Sequence, residues 1–346
     1  MKQRLNTNIL LAALSAAAVI SLLLCICIGP VSVAPGTVAR ILGSKLPLLG
    51  GHIAPTWTDA AYEIILTVRL PRVLLGFCVG CALAFSGTAM QTLVKNELAD
   101  PYILGVSYGA AAFSTIGIVT GIFSFLGVYQ NAVNGFIGAA LSMTFVYVYS
   151  LNRGKINIHQ LLLGGIAISM FAKAVVKILS MTNVQAFLHN NTAFWTSGGL
   201  AGSRWAYLKW PLLLIAVCFL YLFVHHRALN ALLFGEEVAH TLGVRVARME
   251  KALVFTISLM VGISVSVSGG IGFVGLVAPH AARILAGGSH KRVFPVAALA
   301  GGIFVLWCDV AARMLFAPEE LSVGIITAIV GGPLFLLLLK RNAARI

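Results

Sequence analysis

Nearly all of the chain falls into uncharged apolar runs, separated by short breaks that carry charge, glycine or proline. A helix needs roughly 20 apolar residues to cross the hydrocarbon core of a bilayer, so each run predicts one spanning helix. The runs lie near residues 8–29, 62–85, 102–125, 128–150, 156–180, 207–225, 252–270, 271–287, 293–313 and 321–340. The stretch Ala252 to Gly287 is long for one helix and short for two. It is read as two because Gly269-Gly270-Ile271-Gly272, followed by Gly275 and Pro279, offers a place where one helix ends and a shorter one turns back. Parity requires the same division. Lys2 and Arg4 at one end and Lys340, Arg341 and Arg345 at the other are all placed in the cytoplasm by positive-inside bias, and two cytoplasmic termini need an even number of crossings.

The first run follows a basic start, as a secretory signal would, but it is too long and lacks a small-residue cleavage site before Gly29-Pro30, so it is kept as a span. With ten spans, fewer basic residues face outward than inward, and Arg69, Arg72, Arg204 and Arg313 are among the outer ones. Spans two to five and seven to ten form two blocks of opposite orientation, an arrangement common in transporters. Two longer segments lie between spans. Residues 30–61, outside and rich in proline and glycine, predict an irregular loop with one short helix at Thr37 to Leu42. Residues 229–250, inside, mix apolar residues at helical spacing with Glu236, Glu237 and Gly243, and predict two short helices at the membrane surface.

Composition agrees with a lipid solvent: 59% of residues are hydrophobic, 10% are charged, and the mean hydropathy is +0.96. No room remains for a soluble domain, so residues 1–346 are read as one all-α polytopic transmembrane domain. The formal charge of +14 is dispersed through the short breaks and forms no stripe, which argues against nucleic acid. All six cysteines lie inside apolar runs, where they act as small hydrophobes.

Enzyme chemistry finds no foothold. There is no Gly-x-x-x-x-Gly-Lys-Ser/Thr phosphate loop, His-Glu-x-x-His pair or Gly-x-Ser-x-Gly elbow, so the driving energy comes from a nucleotide-hydrolysing partner or an ion gradient. An ion-coupled secondary transporter needs ionisable groups in mid-membrane. Asp309 is the one clear acidic candidate in a span, and Arg313, four residues on, makes a helix pair the simpler explanation. Lys173 and Lys177 share that spacing and are expected to snorkel outward. Cys78 and Cys81 do not complete a metal site, and His280, after Pro279, suits helix-end packing.

One set of motifs is more specific. Arg69-Leu70-Pro71-Arg72 precedes GFCVGCALAFSGTAMQ, and Asn96-Glu97-Leu98-Ala99-Asp100-Pro101-Tyr102-Ile103-Leu104-Gly105 follows. Further along come Gly235-Glu236-Glu237-Val238-Ala239 with Leu242-Gly243, then Gly270-Ile271-Gly272-Phe273-Val274-Gly275-Leu276-Val277-Ala278-Pro279-His280, Asp309-Val310-Ala311-Ala312-Arg313 and Leu321-Ser322-Val323-Gly324. Over roughly residues 60–341 the chain resembles the FecCD-type permeases, membrane subunits of ABC importers for ferric siderophores, haem and cobalamin. Glu97 departs from the family pattern, which usually has proline there.

The resemblance implies the ABC type II importer permease fold and an inner-membrane protein with both termini cytoplasmic. It implies transport of an iron chelate by a homodimer or a pair of paralogues. ATP and Mg would be bound by a dimer of separate ATPase subunits, with no cofactor or metal on this chain. It also implies a periplasmic or lipid-anchored substrate-binding protein that docks on Arg69, Arg72 and Arg313, where fixed guanidinium groups at a water-exposed rim would orient an anionic partner. Interfacial snorkelling is the alternative for these arginines. Leu232, Gly235, Glu236, Glu237, Ala239, Leu242 and Gly243 match the element that sits in an ATPase cleft. Asn96 and Leu98 match positions that narrow the inner mouth of the pathway, and a plain turn explains them equally well.

Overall fold

The computed structural model describes residues 7–45, 54–152, 155–182 and 197–343. Lys2, Arg4, Arg153, Arg345 and residues 46–53 of the outer loop lie outside that set. The described chain is helical apart from a two-stranded hairpin, β1 (Leu151–Asn152) and β2 (Lys155–Ile156). With no water in the hydrocarbon core, a backbone must satisfy its own polar groups, and a helix does so within one segment.

The helices are α1 (Thr7–Cys27), α2 (Pro35–Gly43), α3 (Asp59–Val94), α4 (Val106–Thr120), α5 (Gln130–Ser150), α6 (Ile158–Thr182) and α7 (Ala206–Val224). They continue with α8 (His226–Leu232), α9 (Glu236–Thr241), α10 (Val246–Ser268), α11 (Val274–Ala286), α12 (His290–Met314) and α13 (Val323–Ala343). Among the described residues seven of these are long and apolar enough to cross a membrane, and three shorter apolar stretches, α4, α11 and Val323–Leu337 of α13, complete ten. The segment between α1 and α3 holds one short helix, α2, and the segment between α7 and α10 holds two, α8 and α9.

Helix α3 is the centre. Its residues are buried on nearly every face, and it packs against α12, α10, α11, α7 and α1. Close approach to α12 is possible because Gly80 faces Gly301: a Cβ on Gly80 would stand 2.4 Å from the Gly301 carbonyl oxygen. The helix runs further than its apolar stretch suggests, to Val94, because its last polar residues are paired. Thr88 donates to Ala84 O at 3.0 Å, Thr92 to Thr88 O at 2.9 Å, and Gln91 Nε2 to Gly275 O at 3.3 Å.

The two four-helix blocks, α3–α6 and α10–α13, share a device. The second helix of each is short and follows a residue in the left-handed region, Gly105 (φ 79°) before α4 and Phe273 (φ 66°) before α11. The breaks touch each other: the Ile271 N–H donates to the Tyr102 hydroxyl at 3.1 Å. Interrupted helices in corresponding places of two blocks are how transporters bring backbone polar groups to an internal passage.

Candidate functional site

In the N-terminal part of α3, Pro71 has no N–H to return to the carbonyl four residues earlier, and the preceding turn, Ile64–Arg69, is a π-helix. Arg69 and Arg72 flank this irregularity. Arg72 lies against α12: its Nε donates to Asp309 Oδ1 at 3.0 Å and its Nη2 stands 2.9 Å from the same oxygen. Its Nη1 donates to both carboxylate oxygens of Glu320, at 3.0 and 2.8 Å. Arg313 Nε is 3.0 Å from Asp309 Oδ2, close enough to pair in charge, and its N–H is directed at the Asp309 carbonyl oxygen, 3.4 Å away. Its terminal nitrogens donate to Ile28 O and Cys25 O, at 3.0 and 3.3 Å. Arg69 donates to the carbonyls of Ile26, Cys27 and Val31.

This geometry corrects the expectation of a water-exposed rim. Arg69, Arg72 and Arg313 are only 4%, 5% and 2% exposed. Arg69 and Arg313 saturate the orphan carbonyls at the C-terminal end of α1, where a cation is favoured by the helix dipole. The local pairing of Asp309 with Arg313 is present, but the stronger partner of Asp309 is Arg72, on a different helix. Glu320 was missed in the sequence. Its signal was a carboxylate in an outer break that otherwise faces arginines.

At the other end of α3, Lys95 caps the helix in the left-handed region (φ 54°), and the Asn96 side chain accepts from the Leu98 N–H at 2.9 Å, closing a tight turn. Asn96 and Leu98 are both exposed. Glu97, at the position where the expected proline is lacking, reaches His280 of α11, with oxygen and Nδ1 3.3 Å apart. Lys95 pairs with Glu236 of α9 at 3.5 Å, so the turn is joined to the inner insert.

That insert is built on two glycines. Gly235 (φ 108°) opens α9, and Gly243 (φ 81°) closes it with a 3.0 Å bond from the Val244 N–H to Ala239 O, the Schellman arrangement. Leu232 and Ala239 are buried against the bundle; Glu236, Glu237, Gly243 and Leu242 are exposed, Leu242 by 66%. Leu233, Phe234 and Val238 are exposed as well, so the insert presents apolar side chains outward.

Between the two breaks lies a third feature that the sequence did not single out. A recess of about 260 Å³ is lined by Asp100, Tyr102, Ser107, Tyr108, Ser169, Phe273, Leu276 and the backbone around Gly270 and Gly272. Asp100 caps the turn before α4 by accepting from the Tyr102 N–H at 2.8 Å, and burial pushes its carboxyl up to about 6. Lys173 stands at its edge, 5.9 Å from the Tyr108 ring centre.

The sequence profile of the FecCD transport family matches residues 17–341. The chain belongs to that family. A hemin transport system permease of Yersinia pestis, HmuU, is 41% identical over 287 residues, covering 82% of this chain and 85% of that one. A cobalamin import permease of Halobacterium salinarum, BtuC, is 39% identical, covering 83% and 76%. A solved structure described as a metal-chelate type ABC transporter in an inward-facing conformation superposes with a TM-score of 0.80 at 28% identity, over 97% of this chain and 99% of that one. The FecCD chain is therefore a multi-pass ABC permease, a transport component, with the ABC importer permease fold. The buried arginine cluster, the insert and the recess are features of that scaffold.

Proposed function

We propose that this FecCD permease passes a bulky iron chelate, a ferric siderophore, haem or the related cobalamin, from a binding protein into the cytoplasm, driven by ATP hydrolysis on partner subunits. The observation that carries the reading is the α8–α9 insert. It lies between spans, and Leu233, Phe234, Val238 and Leu242 leave apolar surface uncovered there, which a protein partner would bury. An ATPase subunit that holds ATP and Mg and receives the insert in a cleft fits that surface. The Lys95–Glu236 pair gives its movement a path to the turn that carries Asn96 and Leu98, the proposed inner gate.

The recess at the meeting of the breaks, part polar and part apolar, suits the wall of a passage completed by a second copy or a paralogue. On the outer rim, Arg72 is the docking candidate, because Glu320, with its side chain 32% exposed, is the one partner in the cluster that a carboxylate of the binding protein could replace. Arg69 and Arg313 would hold the end of α1 that shapes the rim. Both termini lie in the cytoplasm in this arrangement.

The test is reconstitution of the permease in vesicles with its ATPase and binding protein, offering labelled ferric siderophore, haem and cobalamin in turn. Uptake should require ATP and survive collapse of ion gradients. Accumulation driven by an ion gradient without the ATPase, and lost in Asp309→Asn, would instead establish an ion-coupled carrier.

A further inference from the structure

Away from the recess and the arginine cluster, α5 and α10 enclose an apolar groove of about 420 Å³, within the range of about 300–1,000 Å³ typical of small-ligand sites. Ala139, Met143 and Tyr147 of α5 form one wall; Lys251, Phe255 and Gly262 of α10 form the other. Of the three hydroxyls in the lining, those of Thr144 and Ser258 donate to carbonyls of their own helices, Ala140 O and Val254 O, and ask nothing of an occupant; Tyr147 carries the third. The groove therefore has one charged end, at Lys251, and a lining that is otherwise mainly apolar.

Its depth is informative. Lys251 to Gly262 spans about 16 Å of helix at about 1.5 Å per residue, half of a hydrocarbon core of roughly 30 Å. Beyond Phe136, which borders both, a second groove of about 210 Å³ continues along α10 between α5 and α7, past Tyr207 and Trp210. The inner groove is thus one leaflet deep. Lys251 is exposed, and among the described residues no carboxylate lies within ion-pair distance of it; its neighbour Glu250 is 8% exposed. Lys155 of β2, which packs on α10, lies within electrostatic reach of Glu250, as do Lys95 and Glu236.

We propose that this groove binds one anionic phospholipid of the leaflet on the Lys251 side, cytoplasmic in the orientation proposed above. The phosphate pairs with Lys251, and an acyl chain lies between α5 and α10. A second copy of the chain fits less well. Around a twofold axis the same patch meets itself, which would set a concavity against a concavity and Lys251 against Lys251. None of α5, α7 and α10 supplies a residue to the recess.

The test uses the full-length permease in phosphatidylcholine vesicles that contain a minor fraction of photoactivatable phosphatidylglycerol or of the same probe on phosphatidylcholine. Phosphatidylglycerol should label α5 and α10 preferentially. Lys251→Gln should lower that labelling about fivefold, the worth of one cation beside an anionic headgroup, while Lys251→Arg keeps it. Ala140→Trp, on the exposed wall of the groove, should lower it with the charge intact, and Lys291→Gln should leave it unchanged. Equal labelling by both headgroups, equal losses in Lys251→Gln and Lys291→Gln, no effect of Ala140→Trp, or displacement by glycerol phosphate would each overturn the proposal. So would crosslinking of two copies through Ala140→Cys.

Discussion

Replacing Asp309 by asparagine keeps the shape of the side chain and removes its charge. Asp309 is 1% exposed and stands between Arg72 and Arg313, themselves 5% and 2% exposed. Breaking a buried pair by neutralising one partner costs about 3–5 kcal/mol, because a charge is left without compensation in a medium of low dielectric. Here the lower end applies. Arg72 retains both oxygens of Glu320, and Arg313 retains the carbonyls of Cys25 and Ile28. About 3 kcal/mol lowers the melting temperature by roughly 5 °C in a chain of this size, allowing for the smaller shift per kcal/mol as chains lengthen. Glu320→Gln alone should cost no more than about 1 kcal/mol, since that side chain is partly in water. The double variant should exceed the sum of the two, because Arg72 then loses both carboxylates and the sites are coupled. The assay is thermal unfolding of the detergent-purified permease, followed by circular dichroism. If Asp309→Asn melts within about 1 °C of the parent, the cluster is not a buried electrostatic clamp and the arginines are free to serve the rim alone.

Three further outcomes follow from other parts of the molecule. Lys95→Glu should reduce ATP-driven uptake by up to about fivefold, and the charge swap Lys95→Glu with Glu236→Lys should restore it, the ceiling set by an exposed pair worth at most about 1 kcal/mol; a swap no better than the single variant would sever the insert from the turn. Asp100 has a carboxyl raised from 3.8 to about 6, so between those values the folded state binds more protons than the unfolded one, and stability is greatest at low pH and falls as pH rises through that window. Asp100→Asn, which still accepts from Tyr102, should flatten melting temperature against pH between roughly 4 and 6, and an unchanged slope would assign the dependence elsewhere. Gly80→Val should prevent α3 and α12 from closing, since the contact at 2.4 Å is with backbone that cannot yield; normal folded yield by gel filtration would refute the packing argument.

Much of the architecture is legible along the chain because the solvent is lipid. A backbone with no water to bond must form helices, and the length of each apolar run then sets the number of crossings. For the same reason the split of Ala252 to Gly287 into two helices, the short helix in the outer loop and the pair at residues 226–241 could be read from glycine, proline and charge. Where the reading fell short, buried polar residues were the cause. Span two looked finished near Phe85, yet Thr88, Gln91 and Thr92 continue the helix inside the protein because α11 and the preceding turns accept their bonds. The fate of the outer arginines could not be read at all. Local spacing pairs Arg313 with Asp309 four residues away, but burial of Arg69, Arg72 and Arg313 depends on carbonyls at the end of α1 and on Glu320, which come from far along the chain. Solvent and hydrogen-bond economy made the set of helices a property of the sequence; only packing decided which charges face water, because a charge is exposed or paired according to what distant segments bring beside it.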